Sequence, residues 1–446
     1  MRAKRTSQIS IFDQFAAHDI GRELAGMSAQ LDAHPGLLDF VAADLGSGAT
    51  TGRCGLTAES ALRCALLKQY RQLTYEELAF VLLDSASCQA FARLPMGWTP
   101  SKAALQVNIA AITDASWHAI NAQLLGTARQ TGLERATMWR VDSTVIDSPI
   151  HDPSDASLLW DSVRVMVRLL TAGQALPGAP PLRWRNHLRR AKKRARAIRY
   201  TRGQDKKQPL YRDLVKVTQA TLGYLEDSAA RLRAFGAAPF RLIGWQAEVD
   251  ALVPLIEQVI DQTRRRVFNG ERVPAADKIV SLFEPHTDII VKDRRAVHYG
   301  HKLNLTSGAS GLVFDAVIED GNPADSERFM PMLERHIATF GTVPRQVAAD
   351  GGYASKDNLA AARHVGVQDV VFHKKRGLEV KDMARSPWVY RKLRNFRAGI
   401  EAGISCLKRA YGLARCTWKG LAHFKAYVWS AVVAHNLALM ARLAPE

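Results

Sequence analysis

MWRVDSTVID, residues Met138–Asp147, is the stretch whose reading decides the fold class. The apolar run Met138-Trp139-Arg140-Val141 leads into Asp142, and Ser143-Thr144-Val145-Ile146 follows it. That alternation of β-branched and polar residues predicts a strand carrying Asp142. Working outward, two further acids fall in contexts of the same kind. In VAADGGY (347–353), Asp350 ends a strand-like run from Val343 to Ala349, and Gly351-Gly352 supplies a turn. In RNFRAGIEAGISCLK (394–408), Glu401 lies within a helix predicted from Tyr390 to about Tyr411. Three carboxylates from two strands and one helix can converge on hard divalent cations, which prefer oxygen ligands. Two such ions, roughly 3.5–4 Å apart, activate water and stabilise the leaving oxygen of a phosphodiester displacement.

Charge is consistent with such a substrate. The 446 residues contain 61 Lys and Arg against 43 Asp and Glu, a formal charge of +18. A strongly basic chain points to nucleic acid or another polyanion as partner. A hydrophobic fraction of 47% is enough for large cores and excludes a mainly disordered chain. The five cysteines show no CxxC spacing, so zinc and disulfide frameworks are not expected and reduced thiols are. The basic start MRAKRTSQISIF has no long apolar core behind it, which argues against a signal peptide. Leu421 to Leu443 is apolar but carries His423, Lys425, His435, Asn436 and Arg442, which predicts a buried core helix and no membrane span.

The chain divides by pattern. Residues 1–135 read as an all-helical N-terminal DNA-binding domain. Thr57 caps a helix to Tyr70, Thr74 with Glu77 forms a capping box, and Pro100-Ser101 starts another helix. Short helices with tight turns fit a helix-turn-helix reader and equally an ordinary bundle. Residues 136–155 hold the first strand. Residues 156–278 read as a basic helical insertion. From Arg183 to Lys207 there are twelve Lys or Arg against the single acid Asp205. A charge run is usually a solvated face, but with so few acids intrahelical salt bridges are scarce, and phosphate contact is the favoured reading. In residues 279–446, Ile279–Leu282 reads as a strand start, 301–306 and 312–318 as a hairpin, and 325–340 as a helix. A strand into Asp350, a helix over 355–364 and a strand at 370–372 follow. The order predicts an α/β chain with a ribonuclease-H-like catalytic core, a helical insertion after its first strand, and the helical N-terminal domain.

At these residues the chain resembles a bacterial insertion-sequence transposase of the DDE superfamily, most like the ISNCY group. The likeness runs over GLTAESALRCALLKQYRQLTYEELAF, RVDSTVIDSPIHDPSDASLLWDSVRV, VAADGGYAS and KLRNFRAGIEAGISCLKRAYGLARCTWKG. It implies an enzyme that binds the terminal inverted repeats of its element, cleaves at the ends and joins the 3′ ends to target DNA. It implies Asp142, Asp350 and Glu401 as catalytic acids holding two Mg²⁺ or Mn²⁺ ions. Related transposases place an Arg four residues before the Glu and a Lys seven after it, which Arg397 and Lys408 match; a Tyr three before that Arg is here Arg394. The resemblance further implies double-stranded DNA as partner, a homodimer or higher oligomer on DNA, and a cytoplasmic, nucleoid-associated location with no membrane.

Helix geometry bears on the last cluster independently. At 100° per residue, Arg394, Arg397, Glu401 and Lys408 fall within about 60° of one another. Phe396, Ile400, Ile404 and Leu407 form an apolar stripe beside them. One carboxylate flanked by cations suits metal and phosphate together, whereas an exposed Arg397–Glu401 pair alone is worth only about 0.3–0.5 kcal/mol. On the basic run the candidate DNA contacts are Arg189, Arg190, Lys192, Lys193, Arg194 and Arg196. Asp147, Asp152, Asp155, Asp161, Asp315, Glu319 and Asp320 read as turn or structural acids, and His373-Lys374-Lys375-Arg376 as a further phosphate contact. Two rival functions stay open: a nuclease of this fold that does not join strands, and an inactive DNA-binding relic.

Overall fold

Helix starts follow the capping residues of the sequence. In the computed structural model, Thr57, Thr74, Ser101, Thr113, Ser154, Ser355 and Ser386 each accept a bond from the backbone N–H three residues on, satisfying a donor that a helix leaves orphaned. Described are residue 4 and residues 15–46, 55–95, 98–234, 240–292, 296–374 and 376–443. Cys54, Lys375 and, Lys4 apart, the basic N-terminal segment lie outside them.

In chain order the elements are α1 (Asp19–Ala33), α2 (Leu37–Asp44), α3 (Ala58–Tyr70), α4 (Tyr75–Asp84), α5 (Ala86–Phe91), α6 (Lys102–Ala110), α7 (Asp114–Gln130) and β1 (Met138–Asp147). Then come α8 (Asp155–Gln174), α9 (Leu188–Tyr200), α10 (Gln204–Ala234), α11 (Phe240–Thr263), β2 (Asp288–Lys292), β3 (Ala296–Ser307) and β4 (Val313–Ile318). The chain ends with α12 (Asp325–Phe340), β5 (Gln346–Ala349), α13 (Lys356–His364), β6 (Asp369–Phe372), α14 (Val380–Met383), α15 (Pro387–Ala410) and α16 (Leu421–Leu443).

These form two compact units, one of residues 1–147 with 301–446 and one of residues 148–300. In the first unit β1 lies between β3 and β5. It pairs parallel with β5 (Val141 opposite Ala349), and β5 pairs parallel with β6. β4 returns antiparallel along β3, as the hairpin reading expects. The parallel strands are apolar and buried, as sheets covered by helices require. Helix α15 packs across β1, β5 and β6. It buries Val389, Leu393, Ile400 and Leu407, each contributing about 1.5–3 kcal/mol.

The N-terminal helices do not carry a core of their own. A single apolar cluster runs from Leu24 and Leu62 through Trp139 and Val347 to Val432. Helix α16 is its axis: it is buried through most of its length and packs on α1, α3 and α7. The apolar C-terminal stretch is therefore a core helix, and no described helix is long and apolar enough to cross a membrane.

The second unit is helical, with a separate apolar cluster on α8, α10 and α11. It extends beyond the 156–278 block at both ends, to residues 148 and 300. Within it β2 pairs antiparallel with the first residues of β3. The strand expected at Ile279–Leu282 does not form. Instead the Gln262 side chain donates to the Ile279 carbonyl and accepts from its N–H (3.1 and 2.9 Å), so a side chain takes the bonds a strand neighbour would make.

Candidate active site

The register of β1 and β5 sets the first two acids side by side. Val141 faces Ala349, the last paired position, so Asp142 and Asp350 each stand one residue beyond it. Asp142 stays on β1, and its Oδ1 accepts from the Ser143 N–H at 2.8 Å. Asp350 leaves the sheet and opens the short turn Gly351–Tyr353. A Cβ on Gly352 would stand 2.6 Å from an Asp325 carboxylate oxygen, so a side chain there would have to displace that carboxylate.

Glu401 comes from α15, which is tied to β1 by a residue whose sequence context gave it no part in the site. Arg140, two residues before Asp142, is buried; its Nε donates to Ser307 Oγ and its Nη1 to the Phe396 carbonyl, both at 2.8 Å. Its guanidinium carbon lies 4.6 Å from the Phe396 ring centre. A Cβ at Gly399 would come within 1.9 Å of Arg140 Nη1, so a side chain there would have to push the guanidinium off its bonds. The signals were the arginine two before Asp142 and the glycine two before Glu401, legible only once strand and helix are known to touch.

One guanidinium joins the three acids. Arg397 Nη2 donates to Asp142 Oδ2 at 3.3 Å and to Glu401 Oε1, while Nη1 lies 3.4 Å from Asp350 Oδ1. The Arg397 side chain is only 9% exposed, against 60% for Glu401. At 3.3–3.4 Å and an effective dielectric near 20, each contact is worth roughly 5 kcal/mol before desolvation. The pair read from the helix as Arg397–Glu401 is thus a four-residue cluster. Among the described residues no group of three or more His, Cys, Asp and Glu stands ready to hold an ion. The donor set nevertheless fits a hard ion: it is all carboxylate, drawn from three elements, and its charge is compensated at its centre by the Arg397 guanidinium.

Beside it lies a buried polar network. Tyr353 Oη donates to Asn304 Oδ1 (2.6 Å), Asn304 Nδ2 to Glu319 Oε1 (2.7 Å), and Arg328 Nε to the same oxygen (2.8 Å). Burial, then the charges of Asp325 and Asp142, hold the Tyr353 hydroxyl well above its ordinary pKa, so it stays protonated. Lys302 pairs with Asp325 at 2.6 Å. Glu319 pairs with Arg328, and Asp315 with Arg335. Asp155 and Asp161 likewise pair, with Arg266 and Arg164.

The other named residues divide. Arg394 is exposed, 5.9 Å over the Tyr390 ring, and joins none of the acids. Lys408 is half-buried near the end of α15, about 10 Å along the axis from Glu401. The Lys374 side chain abuts Gly351, next to Asp350. On α9, Arg189, Lys192, Lys193 and Arg196 are exposed and form no ion pair with a described residue. Arg190 and Arg194 do: both bind Asp213 of α10, Arg194 Nε at 2.5 Å. Helix α9 itself carries no acid; the counterion Asp213 lies 23 and 19 residues downstream of these arginines and reaches α9 only through helix packing.

Residues 286–437 match the family model described as "Transposase DDE domain". No curated protein and no solved structure matches the chain. The match covers Asp350, Arg397 and Glu401 and leaves out Asp142, which the β1–β5 pairing adds. It supports a DDE transposase family, which implies DNA binding and a nucleic-acid-cleaving enzyme that normally uses divalent metal ions.

Proposed function

We propose that this chain is an insertion-sequence transposase, of the ISNCY-like kind, with a ribonuclease-H-like core. In this reading it binds the terminal inverted repeats of its element, cleaves a phosphodiester bond at each end and joins the 3′ ends to target DNA, working as a dimer or larger assembly on DNA. The observation that carries the reading is the gathering of Asp142, Asp350 and Glu401 around Arg397. The acids are the residues that would hold Mg²⁺ or Mn²⁺.

When bound, such ions supply the positive field that lowers the barrier to attack on phosphorus. The chain's own residues set up that attack. Asp142 and Asp350 are held at fixed spacing by the strand register, and Glu401 by the Arg140 clamp on α15. The Arg397 guanidinium keeps three carboxylates together without substrate. Released from them, it has the fork geometry to bind a phosphate oxygen beside the acids. Protonated Tyr353 holds Asn304, and through it Glu319, by hydrogen bonds and adds no charge of its own. No side-chain nucleophile is required.

The test is substitution of Asp142, Asp350 or Glu401 by Ala. Each variant is expected to lose cleavage of end-containing DNA by at least about 10²–10³-fold while keeping end binding, because affinity comes mainly from cations. A Glu401→Ala protein that cuts at the wild-type rate would remove Glu401 from the site. Pre-cut ends offered to wild type separate a joining enzyme from a nuclease.

A further inference from the structure

We propose that the helical unit 148–300 contains a phosphate pocket that takes the sugar-phosphate backbone of duplex DNA, apart from the acid cluster. The proposal rests on the transposase reading for its substrate. The pocket is a cavity of about 460 Å³ walled by Lys207, Arg266, Arg272 and Lys278, with Asp155 and Glu271 among its other residues. That volume falls within the roughly 300–1,000 Å³ of ligand sites.

The chain bends to build it. Helix α11 ends in a π-helical turn, Arg264–Phe268, and Gly270 at φ +69° then reverses the backbone. π-turns inside helices cost regular hydrogen bonding and concentrate at functional positions. This one aims Arg266 into the cavity, where its Nη1 binds both oxygens of buried Asp155 at 3.1 and 3.0 Å. Nε and Nη2 of Arg266 have no partner among the described residues. Glu271 is already taken, by Arg265 and Asn269.

Lys207, Arg272 and Lys278 form no ion pair with a described residue, so the cavity holds more positive charge than its own acids answer. Lys278 feels this: burial and then Arg266 depress its pKa, Asp155 opposing and Arg272 adding to the depression. Four cations gathered around one cavity, two half-buried and two exposed, attract an anion, and a phosphate supplies charge-assisted bonds to several at once. The source is indicated by continuity. Lys207, in the first turn of α10, is also the last cation of the Arg183–Lys207 run, so the cavity shares a cation with the segment read as contacting the phosphate backbone.

The experiment uses the full chain carrying Lys207→Gln, Arg272→Gln and Lys278→Gln together, which leaves α9 and the acid cluster untouched. Duplex binding is followed by fluorescence anisotropy over a range of salt, with circular dichroism as the folding control. Each lost phosphate contact removes about 0.9 from the slope of log K against log salt, so the triple variant is expected to lose about 2–3 units. If it fails to fold, Lys207→Gln and Arg272→Gln singly are each expected to lose about one unit. An unchanged slope with no melting shift by deoxyadenosine 5′-monophosphate overturns the pocket while the transposase reading stands. An unchanged slope together with a melting-temperature rise by deoxyadenosine 5′-monophosphate in wild type only makes this a free-nucleotide site and overturns the backbone assignment. Wild type that binds no duplex at any salt overturns the transposase reading and this assignment together.

Discussion

Replacing Arg397 by Gln removes the cation shared by three carboxylates. Its contacts to Asp142 and Asp350 span 3.3 and 3.4 Å, and the guanidinium is nearly enclosed. Breaking a buried ion pair by deleting one partner costs about 3–5 kcal/mol. Water reaches Asp350 and Glu401, which are 38% and 60% exposed, so the effect belongs below that range. We expect about 2–3 kcal/mol of lost stability in EDTA, a melting shift of roughly 4–6 °C in a unit of this size. With excess Mg²⁺ the acids regain positive partners, and the gap to wild type is expected to close to within about 1 kcal/mol. Arg397→Lys keeps the charge but cannot fork between partners, and should fall between the two. Urea unfolding with EDTA and with Mg²⁺ measures all three proteins. Equal stability of wild type and Arg397→Gln in EDTA would refute the reasoning, as would a gap that Mg²⁺ leaves unchanged.

The α9 run divides by its pairing. Replacing exposed Arg189, Lys192, Lys193 and Arg196 with Gln should flatten the salt slope of duplex binding by about 3–4 units, whereas Arg190→Gln with Arg194→Gln should change it by only about one, since Asp213 already answers one charge. Gly399→Ala should drive Arg140 off the Phe396 carbonyl, cost about 1–3 kcal/mol and reduce cleavage by moving Glu401; adding Arg140→Ala should recover part of the melting temperature but not the cleavage. Burial depresses His336 to a pKa of about 4 from 6.5. The unfolded chain therefore binds the extra proton between those values. The stability this residue confers is complete above about pH 6.5 and is lost as pH falls toward 4. About 2 kcal/mol should go between roughly pH 7 and 5, and His336→Gln should shrink that difference in urea titrations. Metal dependence can be read directly: cleavage is expected with Mg²⁺ or Mn²⁺, poorly with Ca²⁺, and not in EDTA.

Much of this molecule is local and therefore legible. Thr57, Thr74 and Ser101 cap helices through bonds spanning three residues, and the 301–306/312–318 hairpin spans a short turn. Such interactions need no distant partner. The apolar stripe likewise marked α15, whose buried face repeats at helical spacing. The misreading at Ile279–Leu282 has the complementary cause: an apolar run does not say whether a strand or a glutamine side chain takes its backbone bonds.

Residue types determined by the sequence alone were the three acids, the arginine four before Glu401, the basic run and the cysteines without ligand spacing. Which of them meet was decided by packing. Asp142 and Asp350 are 208 positions apart and become neighbours through one parallel register, because β1 and β5 share hydrogen bonds. Glu401 joins them because Gly399 lets α15 settle onto Arg140. Asp213 answers two arginines of the basic run, and Arg397 lies among all three acids, because charges seek the nearest opposite partner in space and chain separation does not enter Coulomb's law.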